Sequence, residues 1–371
     1  MAVFAIDVVV QESRPARSPA CGLLGHLEAL TFQFERAGNQ ISCVRTYAEP
    51  DSTDGNIYRV QAAAETGYEG IACLDDTARA ATLALGVYEA TRSRHALALG
   101  RRWLSFVEYM QYPDGCFANF IRNEAGVRNA SGPTSLKGGL WWSSRALLAL
   151  GRAYRVTRRA EYLEQFQGCR IDPGSDGKIN ALLALGKLEV YRAAPSDRLR
   201  TEILEHCRMI VSHGGDSYFR DHPGVDLIHL WGYHQLHAVA SAAAVLDDSR
   251  LLKSCRATVN NLVEPDVRAK FWHTFPDRSK EGVCAFDVTP LVQGLAAMYD
   301  ATAAARYRDL ALSASAWFYG RNDARTPMYN PSTGACRDGI TDGIASRNYG
   351  AESAIEAGLA ELERRVLLTT D

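Results

Sequence analysis

The stretch Ala81–Arg92 reads ATLALGVYEATR, and looser copies of it return along the chain. They are ALLALGRAYRVT (146–157), ALLALGKLEVYRA (181–193), AVASAAAVLDD (238–248) and LVQGLAAMYDAT (291–302). Each is rich in Ala and Leu and ends near a tyrosine or a charged turn. A segment that is apolar on almost every side predicts a buried helix. A second, more amphipathic helix follows each after a short polar joint, at 95–111, 159–167, 198–212, 249–263 and 306–319. Its charged face suits an outer layer, while Gly and Ala let the inner backbones approach closely. Recurring helix pairs of this kind stack on one another to share a core.

A sixth inner helix, YGAESAIEAGLAELERR (349–365), lacks a partner after it, and GLLGHLEALTFQFER (22–36) is a spare amphipathic helix. The expected fold is therefore an all-α (α/α)6 barrel, a closed toroid of six helical hairpins with a short irregular or β segment at its N-terminus. Residues 1–371 form a single domain in this reading, sealed by the helix at 22–36 against that at 349–365. An open solenoid is the other arrangement the pattern allows. Connections within pairs are short, but those between pairs are long: 112–139, 168–177, 213–226, 264–282 and 320–348. Long loops in a compact fold carry function more often than spacing. The toroid gathers them at one mouth, where the inner helices begin.

Composition narrows the function. Net charge is −2 with no Lys/Arg block, which argues against a nucleic-acid surface. Nine cysteines, an odd count without a CxxC pair, suggest neither a zinc ribbon nor a disulfide framework and fit a reducing cytoplasm. The segment MAVFAIDVVVQES (1–13) lacks a basic leader and reads as mature strand. No apolar run is long enough for an ordinary membrane span. A cytoplasmic protein without a cofactor is expected, its oligomeric state left open.

The chemistry gathers in two stretches. YEGIACLDDTARA (68–80) puts Asp75 and Asp76 side by side at the start of an apolar helix, with Glu69 just before and Arg79 just after. One aspartate can cap the helix while Arg79 pairs with Asp75 four residues away. Two aspartates facing a mouth would instead push one pKa upward, as acid/base chemistry requires. WFYGRNDARTPMYNPSTGACRDGITDGIASRNYGAESAIEAG (317–358) supplies Arg321, Asn322, Asp323, Arg337, Asp338 and Asn348, followed by Glu352 in the first turn of the last helix. Helix-dipole stabilisation accounts for Glu352 alone, but so many hydrogen-bonding side chains in one loop suit the wall of a site.

Sugars fit such a mouth, because their hydroxyls need Asp, Asn and Arg and their C–H faces pack on aromatic rings. Trp141, Trp142, Trp231, Tyr233, His234, Trp272, Tyr329 and Tyr349 are the candidate contacts. The segment 112–126, with Phe117, Asn119 and Phe120, reads as a hairpin able to form a lid. His234 and His237 are three residues apart, but no HExxH or matching carboxylate spacing supports a metal site.

Together YEGIACLDDTARA, SSRALLALG, WFYGRND, TGACRDG and NYGAESAIEA resemble the six-hairpin (α/α)6-barrel glycosidase superfamily over roughly residues 55–362. The likeness is nearest to bacterial glycosidase-like proteins associated with glycosyltransferases. It implies a saccharide substrate and an inverting glycoside hydrolase, with Asp75 or Asp76 activating water, Glu352 as the acid and Asp338 positioning substrate. The sequence lacks the Asn–Glu dipeptide and the Asp-Ala-Gly-Asp arrangement of barrel cellulases. Inversion needs carboxyls roughly 6.5–9.5 Å apart, so Asp76 and Glu352 are expected to face each other at that range. The alternatives are an epimerase or isomerase of the acylglucosamine-epimerase type, with His234 and His273 converging, or a barrel that binds sugar without turnover.

Overall fold

The computed structural model describes residues 9–11, 19–50, 57–60, 69–214 and 217–369. Its helices in chain order are α1 (Pro19–Ala29), α2 (Leu74–Thr91), α3 (Arg94–Met110), α4 (Leu140–Thr157), α5 (Ala160–Gly168) and α6 (Gly177–Ala193). They continue with α7 (Asp197–Gly214), α8 (Gln235–Leu246), α9 (Ser249–Thr258), α10 (Ala285–Thr302), α11 (Ala305–Ser315) and α12 (Ala351–Thr369). A π turn, Val259–Val263, carries α9 on into Glu264–Arg268.

The even-numbered helices form the inner ring. α2 packs on α4, α4 on α6, α6 on α8, α8 on α10, α10 on α12, and α12 returns to α2. That last contact closes the toroid and excludes an open solenoid. Each odd-numbered helix from α3 to α11 packs on the inner helix before it, and α1 lies against α12 and α2. The fold is thus an (α/α)6 barrel of six hairpins. The repeated LALG phrase permits its tight inner ring. A Cβ on Gly151 of α4 would stand 2.6 Å from the carbonyl oxygen of Gly186 on α6, so only glycine fits there.

Four of the five short joints share one device. α2, α4, α8 and α10 end at Arg92, Arg158, Asp247 and Ala303, with φ of 57°, 59°, 54° and 53°. Each donates its backbone N–H to the carbonyl four residues back, the left-handed stop that closes helix C-termini. No glycine announces it, so this turn was hidden in the sequence.

One predicted element is corrected. The helix expected over 22–36 stops at Ala29, and Thr31–Arg36 is a strand paired antiparallel with Asn39–Val44. TFQFER alternates large and polar side chains with a β-branched start, which suits a pleated ribbon better than a helix. The turn between the strands, Ala37–Gly38, has φ of 51° and 77°, matching the right-handed twist of a two-residue hairpin. The hairpin lies on α3, with Phe34 edge-on to Phe106. Val9–Gln11 is a strand paired with Ile57–Val60; the remainder of the segment 1–13 lies outside the described residues.

The segment 112–126 is not a free lid. Phe117, Asn119 and Phe120 are buried, and Phe120–Ile121 pairs with Ala72–Cys73 at the entry to α2. Eight cysteines among the described residues are free thiols. None of the helices among those residues is long and apolar enough to cross a membrane.

Candidate active site

The two aspartates stand inside the first turn of α2, because Cys73 takes the capping position. Its Sγ accepts the Asp76 N–H at 3.4 Å. The expected aspartate cap is therefore replaced by a cysteine, which leaves both carboxylates free for other partners. Their main partner is Arg79, whose guanidinium is buried on the barrel axis.

Arg79 serves four carboxylates. Its Nε lies 3.0 Å from Asp75 Oδ1, and its Nη1 lies 2.9 Å from Glu356 Oε1. Nη2 reaches both Asp76 Oδ1 at 2.8 Å and Glu352 Oε2 at 2.9 Å. The resemblance-based expectation placed Asp76 and Glu352 across an open gap. Here their nearest oxygens share one nitrogen, so Arg79 occupies the space between them.

Arg145, from the start of α4, is the second buried cation, with Nε 3.5 Å from Asp75 Oδ1. Four acids against two guanidiniums leave an excess of negative charge in a desolvated place, and protons are retained as a result. Burial lifts Asp76 to about 7, against the pull of Arg79 and with Glu352 and Asp75 adding to the rise. Burial likewise lifts Glu356 to about 6, opposed by Arg79 and Arg145. Arg145 itself is lowered to about 10, first by burial and then by Arg79.

Exposure separates the four. The Asp76 and Glu356 side chains are 5% and 0% exposed, whereas Asp75 is 12% and Glu352 36% exposed. Asp75 and Glu352 can meet a ligand at the mouth; Asp76 and Glu356 hold the guanidinium from beneath.

An aromatic wall stands over Asp75. The Trp141 indole donates Nε1–H to Asp75 Oδ2 at 2.8 Å and stacks on Trp231 at 5.0 Å between ring centroids. Phe286, at the start of α10, meets Trp231 edge-on at 4.6 Å, and both guanidiniums lie over its ring. The first turns of α2, α4, α10 and α12 and the approach to α8 all contribute here. Lys178 of α6 joins by donating Nζ–H to the Trp231 carbonyl at 3.0 Å.

His234 lies under this wall. Its Nε2 accepts from Arg145 Nη2 at 3.1 Å, and burial together with Arg145 holds the ring neutral, well below the usual histidine range. His273 belongs to another group. Its Nδ1 bonds to the buried Asp287 carboxylate at 3.1 Å, and its ring faces that of His229 at 5.9 Å. The Asp287 bond raises the His273 pKa, against burial. Asp287 also accepts the Cys284 N–H at 2.8 Å, closing the first turn of α10.

The other sequence-selected residues fall outside the cluster. Glu69 accepts the Thr134 N–H at 3.0 Å and pins the loop before α4. Trp142 donates to the Phe117 carbonyl, Tyr233 to the Phe219 carbonyl, and Trp272 stacks on Phe275. Asn322 braces its own loop through the Trp317 and Thr326 carbonyls, Arg321 bonds to Ser313, and Asp323 pairs with Lys270 and Lys280. Tyr329 is buried in packing, its ring 6.3 Å from that of Tyr319. Arg337 bonds to the Ser346 carbonyl and lies over Tyr349, and Asn348 bonds to Tyr47. Asp338 takes the Gly350 N–H and the Ser353 hydroxyl at 2.8 and 2.9 Å, so it caps α12 and thereby sets Glu352 in place.

Three participants were missed from the sequence. Glu356 follows Glu352 by four residues, one turn along the same face, and that spacing was available. Arg145 precedes an apolar run much as Arg79 does. Phe286 carried no signal.

A scan against family models and a search of curated proteins gave no match. Similarity to solved structures is at the level of fold. D-mannose isomerase shares it with a TM-score of 0.68 at 9% identity, covering 93% of this chain and 96% of that one. A family 76 glycoside hydrolase from a bovine Bacteroides thetaiotaomicron strain gives 0.63 at 11%, over 95% and 77%. Cellobiose 2-epimerase from Spirochaeta thermophila DSM 6192 gives 0.61 at 13%, over 80% and 86%. What the chain shares with these three proteins is the six-hairpin barrel. Nothing in these comparisons supports the expected nearness to glycosyltransferase-associated proteins.

Proposed function

We propose that the protein is a carbohydrate-active enzyme and, within that class, a glycoside hydrolase working at the α2–α12 mouth. The reading rests on one observation: Asp75 and Glu352, the two solvent-reaching carboxylates, share Arg79 beneath the Trp141–Trp231 stack. The indole faces suit the C–H face of a sugar ring, and fold neighbours that act on mannose, cellobiose and glycosides are in keeping with it.

In this scheme Asp75, held by Trp141, Arg79 and Arg145, is the carboxylate that acts on the anomeric side. Glu352, which shares Arg79 Nη2 with Asp76 and reaches the mouth, is the acid that gives its proton to the leaving oxygen. Glu352 touches substrate, and Asp76 keeps a proton near neutrality. An oligosaccharide panel, followed by NMR of the first-formed anomer, tests this. Asp75→Asn is expected to slow hydrolysis by about 10²–10⁴-fold while the fold is kept. An inverted anomer supports water activation by Asp75, and a retained one makes it the nucleophile. Unchanged hydrolysis in Asp75→Asn would remove the assignment.

The His273–Asp287 pair beside His229 favours a second reading, sugar isomerisation or epimerisation by a histidine oriented by a carboxylate. Under it, deuterium from solvent enters the sugar next to the carbonyl. His273→Asn abolishes that exchange, while Asp75→Asn leaves most of it.

A further inference from the structure

Beneath the Arg79 layer the barrel bore is not filled. A cavity of about 180 Å³ runs down the axis, roofed by Arg79, Arg145 and His234 and reaching the C-terminal ends of the inner helices. It equals the liquid volume of roughly six waters and lies well under the roughly 300 Å³ at which drug-sized pockets begin. It therefore has room for one small molecule and none for an oligosaccharide.

Its walls carry polar groups that the protein leaves unused. Ser241 of α8 and Gln293 of α10 are 7% and 8% exposed and line the cavity. The buried Nδ1 atoms of His234 and His237, both in the same lining, are unpartnered. A buried donor or acceptor left without a partner is unfavourable. These two imidazole nitrogens, facing one void beside the Ser241 hydroxyl and the Gln293 amide, point to an occupant that both donates and accepts hydrogen bonds.

The charges around it select the class. Arg152 and Arg155 are committed to Glu89, and Arg155 also to Glu189. Asp300 faces the same space and disfavours an anion, while the arginines disfavour a cation. Burial holds the Glu363 carboxyl up at about 7, with Arg152 and Arg192 opposing the rise and Asp300 adding to it, so near neutral pH it is only partly ionised and can donate as well as accept. Arg192 and Asp300 are exposed and stand at the lower rim.

We propose that the bore is a second binding site, entered from the base of the barrel, for one small neutral polyhydroxylated molecule recognised by Gln293, Ser241 and the two histidine rings. This site is independent of the chemistry assigned to the mouth. Calorimetry of the full chain with xylitol, with inorganic phosphate and putrescine as anionic and cationic controls, tests it. Xylitol is expected to bind and the ions not to.

Gln293→Leu and Ser241→Val, which remove hydrogen-bonding groups without opening a larger hole, are each expected to weaken xylitol by about tenfold, one lost buried hydrogen bond. Asp75→Asn is expected to leave the affinity unchanged, and crystals soaked in xylitol should show it below Arg79. Wild-type affinity in both bore variants, tighter binding of phosphate, or density for water alone would overturn the assignment.

Discussion

The two ends of the bore are both built from arginines and carboxylates, yet they balance charge differently. At the mouth, Arg79 is shared among Asp75, Asp76, Glu352 and Glu356. At the base, Glu89 is held by Arg152 and Arg155, and Glu189 by Arg155 and Arg192. The base sets three arginines against two glutamates and stitches α2, α4 and α6 together. The mouth keeps surplus acid in a desolvated place, so its protons come off near neutral pH. Ion pairs of the first kind hold a structure; an unbalanced cluster is where proton transfer becomes available.

The sharpest way to break this contrast is to remove the cation from each end. Arg79→Met strands four carboxylates around a buried void and is expected to cost about 3–5 kcal/mol in denaturant unfolding. Arg155→Met, partly solvated and with Arg152 and Arg192 still present, is expected to cost about 1 kcal/mol. Equal losses would show that the two clusters do the same job.

Asp76 at the mouth and Glu89 at the base give opposite pH dependences. Asp76 rises from the ordinary 3.8 to about 7 on folding, so the folded state binds its proton more tightly than the unfolded chain does. Its contribution therefore makes stability fall as pH rises from about 4 through 7. Glu89 behaves oppositely. Burial pushes its carboxyl up, but Arg152 and Arg155 together hold it below the ordinary 4.5, and the stability it lends is lost as pH falls below that value. Thermal unfolding across this range should show a smaller loss between pH 4 and 7 in Asp76→Asn than in the wild type. Glu363 contributes in the same sense as Asp76 and remains in that variant, so the loss is reduced and not abolished. A profile identical to the wild type would mean that Asp76 is ionised throughout.

The smallest expected effect concerns the wall above the mouth. Trp231→Ala removes the stacking partner of Trp141 without touching a carboxylate, and KM for a cleaved oligosaccharide is expected to rise about tenfold with kcat nearly unchanged. A fall in kcat alone would instead make the wall a device for orienting Asp75.

Much of this architecture was legible in the chain. The repeated ALLALG phrase marked inner helices because an all-round apolar helix has nowhere to go but a core, and its glycines marked the close approach of α4 to α6. The adjacent aspartates and Arg79 were legible because carboxylates in an apolar run demand a partner within a helical turn. The helix expected over 22–36 failed in its second half because TFQFER carries both periodicities over so short a length, and only the twist of the Ala37–Gly38 turn and the surface of α3 decide for a strand.

The sequence by itself thus determined the rhythm of helices, the layer each belongs to, and the charged residues at the start of α2. Which residues meet was a tertiary decision. Glu352 and Glu356 lie more than 270 residues from Arg79, and closing the ring through α12 and α2 brings them onto one guanidinium. Asp338 and Glu69 look as catalytic in sequence as Asp75 does, yet backbone N–H groups claim them. A carboxylate's role depends on which donors surround it and how much water remains, and both are properties of the closed barrel.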